Sequence, residues 1–259
     1  MIRRLQSIIH KSYAGLILLF LLLVWQLVSV MEWVPAFMLP SPIQVIQAFI
    51  REFDSLMGHL KISLGEAFIG LGFGIFGAFF LAMLMDRFQM VYRALYPLLI
   101  ISQTIPVIAI APLLVLWMGY GMAPKIMVIF LVCFFPITIG LLDGFKSSDP
   151  DAIRLLTSMG ARPVQIFRHI KLPSAMPHFL AGLKISVSYA VIGAVVAEWL
   201  GGNQGLGVYM TRVRKSYAFD EMFAVIFLVS IISLILMKCV SLLEKKLLPY
   251  QKSEGGESK

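Results

Sequence analysis

Three stretches of this chain, residues 13–31, 67–85 and 126–142, carry no charged side chain over a length that matches a lipid bilayer. The hydrocarbon core of a bilayer is about 30 Å thick, and roughly 20 apolar helical residues cross it. Lipid offers no hydrogen bonds, so a crossing segment must pair its own backbone groups, which a helix does within itself. The totals agree: 59% of the 259 residues are apolar, 14% are charged, and mean hydropathy is +0.87, outside the balance of a soluble domain. The chain reads as an all-α, polytopic membrane protein.

Extending the runs to their flanking polar residues predicts about six transmembrane helices, over 13–31, 63–85, 95–118, 125–143, 184–200 and 222–243. They lie in one transmembrane domain, 13–248, with an N-terminal segment 1–12, a tail 249–259 and a long loop 144–183. The region before residue 36 reads as a retained first span and not a signal peptide, because the apolar stretch is long and no small-residue cleavage pattern follows. In the third span Pro106 and Pro112 each remove a backbone donor, so a kink or local opening is expected there.

With both termini in the cytoplasm, 16 of the 22 Lys and Arg fall on the inner side, including Arg3, Arg4 and Lys11 at the start. The positive-inside rule favours that orientation, although Arg212, Arg214 and Lys215 run against it locally. The net charge of +8 therefore reads first as topology and attraction to anionic lipid, with nucleic-acid binding a poor second and no nucleic acid expected as a partner. Cys133 and Cys239 fall inside spans and read as small buried thiols.

Between the first two spans, Ser41 and Pro42 open a helix whose Ile43, Ile46, Ile50 and Phe53 recur near a 3.6 period, as in a helix lying on a membrane surface. His59 beyond it reads as a loop residue and not a metal ligand. In the second span Gly70, Gly74 and Gly77 form a small-residue stripe for close helix approach, either within the chain or to a second copy. No strand precedes this glycine run, so it is not a nucleotide loop.

The loop 144–183 holds too much pattern for a connector. Asp149 reads as an N-cap, Pro150 as the first helical residue, Asp151 as a first-turn acid, and Gly160 as the stop. A second short helix restarts near Pro163 and is expected to end at Leu172, since Pro173 disfavours helical geometry in the residue before it. Ile153, Leu155, Leu156 and Met159 give the first helix an apolar patch, suited to docking in a partner's groove or to lying on headgroups.

Gly160, nine residues, Ile170, one residue, then Leu172 and Pro173 spell G-x9-I-x-L-P, which resembles the second half of the signature loop of binding-protein-dependent ABC importer permeases. "LPSPIQVIQAF", "QTIPVIAIAPLLVLWMGYGMAPKI" and "AEWLGGNQGLGVYM" extend the likeness over nearly the whole chain, toward the subfamily for nitrate, taurine, alkanesulfonates and thiamine-precursor pyrimidines, most of all the last. The resemblance implies a type I ABC importer permease fold in the cell membrane. It also implies two copies of a separate ABC ATPase docked on the loop, an extracytoplasmic solute-binding protein and a second permease copy, a homodimer. Asp151, Leu155, Met159, Gly160, Ala161, Ile170, Leu172 and Pro173 then become the ATPase-coupling residues. Where the family carries E-A-A this chain has Arg154, Leu155 and Leu156, so the acidic half of the signature is missing.

The chain itself has no G-x-x-x-x-G-K-S/T, so it is not read as an enzyme, and neither a cofactor nor a metal is expected. Glu198, an ionisable group at the edge of the fifth span, is a candidate for the translocation path or an interfacial acid; Gln103 and Pro106 at the break in the third span are candidates for the path. Glu66 is expected to be a surface acid at the start of the second span. His169 and His178 read as loop residues, and "GGNQGLG", 201–207, as a tight external turn facing a delivery protein. An intramembrane enzyme would need polar groups converging at depth, and an ion-coupled secondary transporter would not need the exposed loop.

Overall fold

The computed structural model describes residues 2–35 and 38–248, with the side chains of 2–12 and 14 excepted. The cationic residues Arg3, Arg4 and Lys11 and the tail 249–259 therefore lie outside the described side chains. The described residues form helices only: α1 (Ile2–Val30), α2 (Pro42–Arg51), α3 (Phe53–Arg87), α4 (Gln89–Ser102), α5 (Val107–Met118), α6 (Met122–Lys146), α7 (Pro150–Ser158), α8 (Pro163–Ile166), a π-helical turn (Phe167–Lys171), α9 (Leu172–Gly201), α10 (Leu206–Lys215) and α11 (Phe219–Leu247). By length and hydropathy α3, α6, the continuous helical stretch Pro163–Gly201 and α11 suffice to cross a bilayer, and α4 and α5, bent by 102° at their break, together have the length and hydropathy of a broken span or a re-entrant loop. The described apolar part of α1, Gly15–Val30, is shorter.

Backbone contacts divide the chain into two units. The first, Met1–His59 with Tyr209–Leu228, is held by side chains that tie loops to helices. Trp25 Nε1 donates to Pro40 O at 3.1 Å and Ser29 Oγ to Leu39 O at 3.0 Å, which satisfies carbonyls left over where the chain turns into α2. Ser41 caps α2 as expected, in a reciprocal capping box with Gln44. Val45 and Ala48 face inward, while Ile43, Ile46 and Ile50 stay exposed. Arg51 reaches both Asp220 (3.2 Å) and Glu221 (2.8 Å), and Glu221 also accepts from the Tyr209 hydroxyl. Burial, then that bond to Glu221, pushes the Tyr209 phenol above its ordinary value, so it stays a donor. His59 is not a loop residue: it sits within α3 with its ring 5.4 Å from that of Tyr209.

The second unit, Leu60–Val208 with Val229–Lys259, contains the main core, built on the crossing of α6 and α9. Association of helices in lipid gains little from hydrophobicity and depends on close van der Waals packing. The sequence provides it with bare backbone: a Cβ at Gly140 would stand 2.7 Å from His178 O, at Gly144 2.5 Å from Ala175 Cα, and at Gly182 2.8 Å from Pro136 O. Cys133 and Ser186 bond reciprocally across the same seam, each side chain donating to the other's carbonyl. Cys133 is thus a buried thiol, but Cys239 is exposed on α11.

The stripe Gly70, Gly74 and Gly77 is used within the chain. Hypothetical Cβ atoms there would meet Ile129 at 2.5 Å, Cys133 at 3.0 Å and Phe130 at 3.0 Å, so α3 lies directly on α6. The break between α4 and α5 falls at Gln103–Pro106, where Ser102 and Thr104 hydroxyls return to Leu99 O and Ile101 O and satisfy the open end of α4. Pro112, the other expected site of a kink or opening, lies inside α5.

One expectation about the long loop is overturned. The helix that restarts at Pro163 does not stop at Pro173; helical geometry runs on to Gly201, with Leu172 at φ −64°, ψ −47°. The π-helical turn Phe167–Lys171 explains this, because Leu172 N–H bonds back five residues to Phe167 O. A proline in an α-helix clashes with the carbonyl four residues back. Widening the preceding turn by one residue displaces that carbonyl, so Pro173 is accommodated in the first turn of α9.

Candidate functional site

Two regions of the second unit hold the residues singled out in the sequence. The first is the loop after α6. Asp149 Oδ1 accepts from Asp151 N at 2.8 Å and starts α7. At the other end Gly160 takes φ +80°, with Ala161 N donating to Leu156 O and Gly160 N to Thr157 O, both 3.0 Å. That is a Schellman stop, and the left-handed residue inside it favours glycine.

Between these caps α7 has no buried residue. Leu155 and Met159 are 62% and 73% exposed, and Val164 just beyond is 74% exposed. Asp151 spends its charge on Arg154 at 3.2 Å, both side chains in solvent, where such a pair contributes little. Ala161 is half-buried at the cap. Ile170 and Leu172 are half-buried on the π turn and the start of α9, and Pro173 is exposed beside them. The structure thus separates the eight residues into an exposed apolar helix, a glycine stop and a stem. His169 and His178 are exposed on that stem and its continuation.

The second region is buried. Glu198, 1% exposed, uses both carboxylate oxygens: Ser63 Oγ donates to one at 2.6 Å and Gly207 N to the other at 2.6 Å, while Ser63 itself accepts from Leu206 N at 2.9 Å. A carboxylate therefore caps the first turn of α10, where the helix dipole favours negative charge. The glycines of "GGNQGLG" make room for it: a Cβ at Gly205 would stand 2.2 Å from the carboxylate, and one at Gly207 2.1 Å from Val195 O.

Nearby in the sequence of α3, Glu66 is not a surface acid: it is 2% exposed and accepts from Lys125 Nζ at 2.6 Å. Two charges that each flank a charge-free run cancel across the α3–α6 contact. Sequence reasoning did not single out Ser63 or Lys125. The available signal was an opposite charge at the edge of two separate apolar runs, which says that pairing is needed but not with whom. Gln103 and Pro106, by contrast, are exposed at the α4–α5 break. Among the described residues no cluster of three or more His, Cys, Asp or Glu could hold a metal ion.

The Glu198 latch carries a direct prediction. Glu198→Gln keeps the shape but removes the charge and turns one acceptor into a donor, so Ser63 Oγ and Gly207 N–H can no longer each donate to their own oxygen. A loss of about 1.5–3 kcal/mol is expected for removing a charge-assisted bond from a buried donor. Thermal denaturation in detergent reads the loss, and faster proteolysis at 202–205 locates it; unchanged values for both would show that the latch carries no stability.

Residues 70–249 match the family described as "Binding-protein-dependent transport system inner membrane component". The formylaminopyrimidine transport permease protein ThiX of Halalkalibacterium halodurans is 42% identical over 94% of this chain and 99% of that one. The riboflavin transport system permease protein RibX of Chloroflexus aurantiacus is 32% identical over 91% and 89%. Among solved structures, an inward-facing MetNI methionine ABC transporter superposes with a TM-score of 0.66 at 19% identity, over 74% of this chain and 95% of that one. The apolar crossings, the glycine-stopped exposed helix and these matches together place the chain in the binding-protein-dependent transport family, as a membrane permease subunit of an ABC importer with the type I fold.

Proposed function

We propose that this permease passes a formylated aminopyrimidine, a thiamine precursor, from an extracytoplasmic binding protein into the cytoplasm, paired with a second copy of itself and driven by two ATPase subunits docked on α7. The observation that carries the docking is the pair of exposed apolar side chains Leu155 and Met159 on α7, a helix capped at both ends, while Ile153 and Leu156 are half-buried. Both termini and α7 are then cytoplasmic, and the Glu198 latch lies toward the opposite surface. ThiX, named for the formylaminopyrimidine, supports the substrate class.

The pathway lies between the two copies, where Gln103 and Pro106 at the α4–α5 break face outward from this chain. Glu198 acts from behind it, by holding the turn 202–207 in one shape for the delivery protein. ATP-driven closure shifts the transporter by favouring one arrangement of α7 over the other, which moves the helices fixed to it.

Leu155→Asp tests the docking. In membranes that also contain the cognate ATPase, the variant is expected to insert normally but to lose ATPase co-purification and formylaminopyrimidine uptake. Wild-type co-purification and uptake would overturn the docking assignment. Uptake of taurine in place of formylaminopyrimidine by the intact complex would overturn the substrate assignment alone.

A further inference from the structure

We infer that the Lys171–Asp86 ion pair is the strut that makes the α7–α8 hairpin drive the end of α3, so that both residues set how much transport each ATP yields. The inference rests on the docking of the ATPase at α7 and adds to it two residues on other elements. Lys171 is the last residue of the π turn and Asp86 the penultimate residue of α3. The ammonium donates to both Asp86 oxygens, at 2.7 and 2.9 Å, with the side chains only 24% and 20% exposed. Both carboxylate oxygens engage one ammonium, which acts as a point charge and so ties the two elements at a fixed distance.

The surroundings explain why the pair matters. A cleft of about 540 Å³ is lined by Met83 and Arg87 of α3 and by Pro163 and Val164 of α8. Another of about 290 Å³ is lined by Gln89, Tyr92 and Lys146. Ile153 of α7, Asp86 and Lys171 line both. Close packing transmits displacement, and voids do not. Here the hairpin and the end of α3 both line open clefts, and the ion pair joins the two elements where the clefts share their walls.

Below this point the stem is stiff. Phe167 of the π turn packs on Phe145 at 5.4 Å, and α9 is seated on α6 through Gly140, Gly144 and Gly182. Lys184 of α9 pairs with Glu244 of α11. At about 100° per residue, positions 171 and 184 lie on roughly opposite sides of the helix, so α9 is braced toward α3 and α11 at once. The π turn at the base of the hairpin, an irregularity frequent at functional sites, ends at the residue that carries the strut.

The test uses the complete complex in proteoliposomes with its ATPase and binding protein, and formylaminopyrimidine as the probe. Lys171→Met and Asp86→Asn are expected to retain ATPase co-purification and ATP hydrolysis while uptake per ATP falls about fivefold or more, the lower end of usual coupling energies. The exchanged pair, Asp86→Lys with Lys171→Glu, is expected to recover most of it, which a general loss of stability would not. Unchanged uptake per ATP in Lys171→Met, in a system where Leu155→Asp has lost its ATPase, overturns the strut and leaves the docking intact. Loss of ATPase co-purification in Lys171→Met makes the pair a support of the docking helix and likewise overturns the strut. Retained co-purification in Leu155→Asp overturns the docking itself.

Discussion

Lys125→Met is expected to destabilise the protein by about 3–5 kcal/mol, because it leaves the Glu66 carboxylate buried without a counter-charge. Lys125 is 7% exposed and Glu66 2%, so neither end of the pair can be rescued by water without opening the contact between α3 and α6. Glu66 has no slack to draw on: its second oxygen, Oε2, already lacks a hydrogen-bond partner among the described groups. The loss belongs to the stranded charge and not to the pair as such, since a buried ion pair replaced by apolar groups of similar size is often no less stable. The double variant Lys125→Met, Glu66→Leu is therefore expected to recover most of the loss. Melting of the detergent-solubilised chain measures all three; a double variant as weak as the single would refute the stranded-charge account.

Gly144→Leu is the second large effect. A side chain there begins 2.5 Å from Ala175 Cα and 2.8 Å from Ala175 Cβ, so α6 and α9 must separate along their seam. Overpacking in a core costs about 1–3 kcal/mol when side chains can yield. Here the obstacle is backbone, and a loss at or above that upper end is expected. Gly72→Leu is the control: a Cβ at Gly72 meets nothing within 4 Å. Its melting point is expected to stay near that of the parent chain, as for a surface substitution. Equal losses from the two would show that the glycine seam does not hold the core.

The helices were legible because each local rule acted alone. Charge-free length marked the crossings, Ser41 and Asp149 marked helix starts, and the glycine at 160 marked a stop; the structure places caps and stop at those residues. Pro173 misled for a physical reason. The rule that proline breaks a helix assumes α geometry before it, and the π turn Phe167–Lys171 removes that assumption by shifting the carbonyl register. Nothing in "FRHIK" announces such a turn.

The candidate site divides in the same way. The exposed face of α7 was readable as an apolar stripe between two caps, whereas Glu198 was readable only as an acid at the edge of a span. Its partners, Ser63 and Gly207, lie 135 positions before it and 9 after it in the chain. The pairs Glu66–Lys125 and Asp86–Lys171 are likewise 59 and 85 positions apart.

By itself, the sequence determined that this chain crosses a membrane several times and presents one capped, apolar helix beyond its spans, because bilayer thickness, capping and proline or glycine geometry act over a few neighbouring residues. Only the tertiary structure decided which charge neutralises which, that the glycines of α3 meet side chains of α6 while Gly140, Gly144 and Gly182 meet backbone across the α6–α9 seam of the same chain, and that the loop's stem is one continuous helix. Those outcomes depend on the register in which α3, α6 and α9 cross, and crossing register is a property of three-dimensional packing that no local pattern encodes.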